Sequence, residues 1–223
     1  MTYTIDRYSE RGNQDINQDY VFADTIYEGY LLSVIADGMG ELDHAAEASR
    51  LVVEKIKDSI TKGILCKGVS MEELVFNAIE EANERIFQER QRLFCKMGAA
   101  VAVVLYHNNQ AYISWLGDVR VYLVRNSHMH LLTTDHTIEN LKDITVLNPK
   151  KYIHILTRCV KGTDIEEIPI IKKEVLSGDR FVLCSDGFYN AMDEKKIPVF
   201  PVKKLIGDII DPEDDFSVIE ISF

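Results

Sequence analysis

Apolar residues recur every second position, or run unbroken, along most of this chain. They recur every three or four positions along one internal tract, so the sequence divides into strand, helix and strand regions. Residues 2–8, 20–23 and 30–36 read as strands, the last two paired around a turn near Glu28-Gly29. After Gly40 the period lengthens: Ala45, Ala48, Val52, Ile56 and Ile60 predict a helix over 43–60, broken at 63–68. A second helix is predicted over 70–92, with Ser70 as N-cap, Glu73 at the capping-box position and Leu74, Ala78, Ala82 and Ile86 as its apolar stripe. Each helix keeps one charged face, which places both on the outside of a sheet. Residues 99–106, 110–116, 120–125 and 128–133 read as strands, with Asn108-Asn109 and Asn126-Ser127 as hairpin turns. Such short connections predict antiparallel neighbours. Residues 135–156, which include Asn148-Pro149, show no clear period and read as a loop or a short helix over the sheet edge. Residues 167–175 and 180–184 read as strands around the tight turn Ser177-Gly178-Asp179; 191–197 and 202–210 read as short helices, and 216–221 as a closing strand. Two helices inserted together among antiparallel strands give an α+β fold, with two sheets packed face to face and helices outside.

Composition narrows the class without naming a function. With 223 residues, 46% hydrophobic and 27% charged, the chain reads as one soluble globular domain. Its net charge of −11 argues against nucleic acid or an anionic membrane as main partner. A phosphorylated substrate stays open, because metal ions invert the local sign. The four cysteines have neither zinc nor redox spacing, which points to reduced thiols in the cytoplasm. The first residues have neither the basic start nor the apolar core of a signal peptide, and no apolar run has membrane-spanning length.

The chemistry sits where apolar runs stop at an acid. Val34-Ile35-Ala36 ends in Asp37, within Gly38-Met39-Gly40. Residues 112–116 end in Gly117-Asp118, residues 181–184 end in Ser185-Asp186-Gly187, and Asp214-Asp215 precedes the last strand. A single Asp-Gly pair is most often only a turn. Four acids in one setting are different: buried like charges repel unless a cation compensates. Oxygen-only ligands suit magnesium or manganese, and the six histidines have no ligand-like spacing. Two such ions roughly 3.5–4 Å apart activate water and orient a phosphate. The residues themselves therefore reach metal-assisted phosphate ester hydrolysis, without a substrate.

The order of the motifs goes further. Asn17-Gln18-Asp19; Ala36-Asp37-Gly38-Met39-Gly40 with Ala48-Ser49 beyond it; Leu116-Gly117-Asp118-Val119-Arg120-Val121-Tyr122; Leu132-Thr133-Thr134-Asp135-His136-Thr137; Leu156-Thr157-Arg158; Gly178-Asp179; Leu183-Cys184-Ser185-Asp186-Gly187; and Asp214-Asp215-Phe216-Ser217-Val218 follow one another across nearly the whole chain. In order and setting they resemble the metal-dependent protein phosphatases of the protein phosphatase 2C type, in particular compact bacterial members. The resemblance implies a four-layer α/β/β/α sandwich with the metal cleft at one end. It also implies hydrolysis of phosphoserine and phosphothreonine in proteins, by water activated between two Mn²⁺ or Mg²⁺ ions. By position, Asp37 bridges both ions, the Gly38 carbonyl binds one, Asp186 and Asp214 hold the other, Asp19 acts through water, and Asp118 helps to hold a third, weaker ion.

The departures from the family pattern define the rival readings. Gln14 stands where the family often has an Arg that grips phosphate, and Arg11 or Arg7 is left as the substitute. Gln18 replaces the common Glu, Glu41 replaces a glycine beside the cleft, Ala45-Ala46 replaces Gly-Glu, and Ser217 replaces Thr. Asp215 replaces Asn, either restoring the lost charge or competing with Asp214 as a ligand. The expectation is an active monomeric serine/threonine phosphatase. Its rivals are a phosphatase-like module that binds a partner and turns over poorly, and a hydrolase of small phosphorylated molecules.

Overall fold

Each of two five-stranded sheets places apolar side chains on both faces. The computed structural model describes residues 2–140 and 155–223. One sheet has the order β2 (Asp19–Tyr27), β3 (Tyr30–Gly38), β4 (Ala99–His107), β5 (Gln110–Leu116), β8 (Ile170–Glu174). The other has the order β1 (Thr4–Glu10), β10 (Phe216–Ser222), β9 (Arg180–Cys184), β6 (Arg120–Arg125), β7 (His128–Leu131). Every ladder is antiparallel. The two-residue turns at Glu28-Gly29, Asn108-Asn109 and Asn126-Ser127 form as expected, with both residues of each Asn-led turn at positive φ.

Burial explains why β3 and β4 read as unbroken apolar runs. Leu31, Ile35, Ala102 and Val104 face Val121, Leu123, Phe181, Leu183, Ile219 and Ile221 of the other sheet. Leu32, Val34, Ala36, Val101 and Val103 face outward onto α1 (Ala45–Gly63) and α2 (Met71–Leu93). Those helices meet the sheet through the predicted stripes, Ala48, Val52, Ile56 and Ile60 with Leu74, Ala78, Ala82 and Ile86, all buried. The capping box at the start of α2 is formed: Ser70 Oγ accepts from the Glu73 N–H at 3.1 Å, and Glu73 Oε2 accepts from the Ser70 N–H at 2.9 Å. Across the molecule, α3 (Asp186–Ala191), α4 (Val202–Leu205) and 3-10 turns at Glu194–Lys196 and Ile206–Asp208 cover the second sheet through Phe188, Met192, Ile197, Val202 and Leu205. The result is the expected α/β/β/α sandwich, with short helices in its second outer layer.

Three expectations change. The short links after β5 and β8 do not make hairpins. β5 pairs with β4 and β8, whereas β6 and β9 pair with each other in the opposite sheet. At Gly117, φ of 105° lets the chain leave one sheet for the other within three residues, and at Gly178 φ is 90°. The helix expected over 191–197 is only the 3-10 turn Glu194–Lys196, and an unexpected helix occupies Asp186–Ala191, where Gly187 and Asn190 are weak helix formers and burial of Phe188 supports the turn in their place. The helix expected over 202–210 is one α-turn continued as a 3-10 turn to Asp208. Most of the tract at 135–156, with Asn148-Pro149, lies outside the described residues.

Candidate active site

The topology brings the strand-end acids to one end of the sandwich. β2 begins at Asp19 and β3 carries Asp37 directly opposite it in the ladder. β9 stops just before Ser185-Asp186, β5 stops before Gly117-Asp118, and β10 starts just after Asp214-Asp215. A cleft of about 850 Å³ opens there, and Asp37, Gly38, Asp118, Asp186 and Asp214 all line it. Asp19 stands behind, 6% exposed, with Ser185 Oγ donating to its Oδ2 at 2.6 Å. Gln14, Gln18 and Glu41 reach the cleft as well. Arg11 does not line it: its Nη1 donates to the Asp15 carbonyl at 3.0 Å. Arg7 is turned the other way, donating to the Ala23 carbonyl at 2.8 Å. No Lys or Arg stands among the described residues that line the cleft.

Burial and crowding show in the titration of Asp37, Asp19 and Asp118. Burial, then repulsion from Asp19, Asp186, Asp118 and Asp214, pushes the Asp37 carboxyl well above the ordinary range. Burial pushes Asp19 up to about 7, against the opposing hydroxyls of Ser185 and Ser217 and with help from Asp186 and Asp215. Asp118 rises to about 7, first through burial and then through Asp186. Without a cation, each carboxyl that ionises here opposes the ionisation of its neighbours. All the donors are oxygens, as a hard divalent ion requires. Among the described residues, no three acid, His or Cys side chains close on a single point. They line a wall instead, which suits ions that keep several of their own waters.

A pH dependence follows. A carboxyl whose pKa is higher in the folded than in the unfolded chain binds more protons when folded, so its stabilising effect is lost as pH rises. For Asp19 and Asp118 that window runs from the ordinary value of 3.8 to about 7. His136, pushed down to about 4 by burial, works in the opposite sense over the same window, but it is one group against Asp19, Asp118 and Asp37. The metal-free protein should therefore melt at lower temperature as pH rises through this window, and added Mn²⁺ should restore most at the upper end. A melting temperature flat across the window would contradict this electrostatic picture.

Local sequence explains the fit. Gly38 packs against the Ala45 and Gln18 carbonyls, where a Cβ would overlap main-chain atoms. Asp215, whose role was open, settles into an anchor. Its Oδ1 accepts from the Gly12 N–H at 2.8 Å and its Oδ2 from the Gln18 N–H at 2.7 Å, which ties the polar loop ahead of β2 to the start of β10. Both oxygens being engaged, Asp215 fixes the loop carrying Gln14 and Gln18. The sequence shows only an acid beside another acid, and nothing in it signals this link.

The comparisons with known proteins agree with this geometry. The profile described as Protein phosphatase 2C matches residues 8–215. The chain belongs to the protein phosphatase 2C family. Protein phosphatase PhpP of Streptococcus pneumoniae is 29% identical over 189 residues, which are 81% of this chain and 76% of that protein. Serine/threonine protein phosphatase PstP of Mycobacterium tuberculosis is 26% identical over 198 residues, 85% of this chain but 37% of that longer protein. Among solved structures, the catalytic domain of PstP in complex with two manganese ions superposes with a TM-score of 0.81 at 25% identity, covering 99% of this chain and 97% of that one. Stp1 from Staphylococcus aureus shares the fold with a TM-score of 0.85 at 19% identity, covering 100% of this chain and 96% of that one.

Proposed function

We propose that this member of the protein phosphatase 2C family is a metal-dependent phosphatase acting on phosphoserine and phosphothreonine in proteins. The observation that carries the reading is the convergence of Asp37, Asp118, Asp186 and Asp214 from separate strand ends on one cleft. In this reading Asp37 and the Gly38 carbonyl, with Asp186 and Asp214, would hold two Mn²⁺ or Mg²⁺ ions, and Asp118 would help to hold a third, weaker one. When bound, such ions supply Lewis-acid activation of water and of the phosphate ester. Asp19 acts from behind Asp37, its Oδ2 oriented by the Ser185 hydroxyl. Gln14, on the cleft wall, meets the substrate phosphate as a neutral hydrogen-bonding group. Among the described residues no helix is long and apolar enough to cross a membrane. All four cysteines are free thiols, which accords with a reducing compartment such as the cytoplasm.

The phosphate contact yields a directional prediction. Gln14→Arg introduces a bidentate, charge-assisted donor where no described lining residue is cationic. It should lower KM for a phosphothreonine peptide with little change in kcat; an unchanged KM would place phosphate recognition elsewhere. The functional reading is tested by assaying a phosphothreonine peptide and p-nitrophenyl phosphate with Mn²⁺ and with EDTA. Metal-dependent turnover that favours the peptide is expected. Measurable Mn²⁺ binding without turnover of either compound would overturn the reading in favour of a binding module.

A further inference from the structure

Asp118 and Asp186 come from different layers of the fold. Asp118 lies in the three-residue crossing between β5 and β6, and Asp186 opens α3. One side chain spans the two segments. Tyr189, one turn beyond Asp186 on α3, donates its hydroxyl to the main-chain carbonyl of Asp118 at 3.3 Å. Its ring lies under the guanidinium of Arg120, 3.7 Å from the ring centroid. Arg120 is itself held on two further sides. Its Nη2 meets Asp135 Oδ2 at 2.8 Å, and its Nη1 meets Glu194 Oε1 at 2.6 Å. The Tyr122 hydroxyl also donates to Glu194, at 3.0 Å. The crossing is gripped from its other side by His136: the Gly117 N–H donates to His136 Nδ1 at 3.2 Å, and the His136 N–H donates to the Gly117 carbonyl at 2.9 Å.

We propose that Tyr189 is a positioning residue that fixes Asp118 relative to Asp186, with Arg120 clamping its ring in place. This rests on the reading that both carboxylates serve ion binding. A purely packing role would need only an aromatic ring against Arg120. The hydroxyl has a separate task, because it links the helix that carries one carboxylate to the peptide that carries the other. His136 braces the crossing against β7 and the loop after it, but it does not report on where α3 lies. Tyr189 alone, among the described contacts of that crossing, comes from the same helix as Asp186. A cation stacked on an aromatic face and held by two carboxylates gives that ring little freedom.

Tyr189→Phe separates the two roles, since it keeps the ring beneath Arg120 and removes only the hydroxyl. Mn²⁺ binding is followed by isothermal titration calorimetry for the unaltered protein, Tyr189→Phe, Asp118→Asn and the double variant. Loss of one neutral hydrogen bond predicts that the binding event weakened by Asp118→Asn is also weakened in Tyr189→Phe, by roughly two- to tenfold. The remaining events stay as in the unaltered protein, and the metal-free melting temperature falls by no more than the loss of one hydrogen bond implies. In the Asp118→Asn background the Tyr189 change should add nothing, because residues that act as a unit are not additive. In steady state, the Mn²⁺ concentration for half-maximal turnover should rise by the same factor, with kcat at saturating Mn²⁺ unchanged. Equal weakening of every event, additive effects in the double variant, or Mn²⁺ binding insensitive to Tyr189→Phe or to Asp118→Asn would each overturn the proposal while leaving the phosphatase reading intact. Absence of Mn²⁺ binding in the unaltered protein would overturn both.

Discussion

Asp37→Asn should abolish metal-dependent turnover and, at the same time, raise the melting temperature of the metal-free protein. The two effects have one cause. Asp37 is half-buried on the cleft wall at the end of β3, and its charge is opposed by desolvation and by Asp19, Asp186, Asp118 and Asp214. Replacing the carboxylate by an amide of nearly the same shape removes that repulsion, so the folded metal-free chain gains stability at pH 8, where the carboxyls are most ionised. The same substitution takes away the anionic oxygen on which two ions are proposed to converge. Loss of a partner that merely orients a ligand costs about 10- to 100-fold; loss of the shared ligand should exceed that in both Mn²⁺ affinity and kcat/KM. Thermal melts with and without Mn²⁺, together with peptide assays, read all of this. Turnover surviving the change would eliminate Asp37 as the centre of the site. An unchanged metal-free melting temperature would mean that repulsion among the acids does not destabilise the metal-free fold.

What the sequence disclosed, and what it hid, follows from the range of each interaction. The acids were legible because an apolar run that stops at Asp37, Asp118 or Asp186 marks a buried strand reaching an edge, and both the run and its end are local. The helices were legible from a spacing of three or four and from the reciprocal Ser70–Glu73 cap, which spans three positions. The partner chosen by a strand after a tight link is different. Residues 117–119 read the same whether the next strand lies alongside or in the opposite sheet, and only pairing with the distant β9 decides it. The start of α3 was hidden because Asp186-Gly187 carries the composition of a turn, and its helical geometry depends on Phe188 reaching a core built from β6, β9 and β10. Asp215 shows the same limit: its partners Gly12 and Gln18 lie 203 and 197 positions away, so no window of sequence contains the contact. Arg11 is a candidate only as a nearby stand-in for the family's arginine at the position of Gln14, and the loop's own carbonyl at Asp15 holds it away from the cleft.

Gly187→Ala should damage both stability and catalysis, although alanine normally improves a helix. In an open helix the change gains about 1 kcal/mol from propensity. Here a Cβ on residue 187 would overlap the main-chain carbonyl of Asp215 and stand 3.4 Å from the Cα of Phe216. That neighbour cannot yield easily. Ser185 and Ser217 hold α3 to β10 on both sides, the Ser185 N–H donating to the Ser217 carbonyl at 3.0 Å and the Ser217 N–H donating to Ser185 Oγ at 2.9 Å. Overpacking a fixed core site costs about 1–3 kcal/mol, which outweighs the propensity gain. The strain falls between Asp186 and Asp214, because each is the residue immediately before one of the two colliding segments. A displacement near 1 Å at a catalytic constellation costs on the order of a hundredfold in rate. Gly207→Ala provides the control: residue 207 lies in a 3-10 turn, and a Cβ there meets nothing within 4 Å. The expected pattern is a lower melting temperature, weaker Mn²⁺ binding and a large fall in kcat/KM for Gly187→Ala, with Gly207→Ala close to the unaltered protein. Unaltered melting and turnover in Gly187→Ala would show that α3 and β10 can separate without cost, and that the close approach of their main chains does not set the geometry of the cleft.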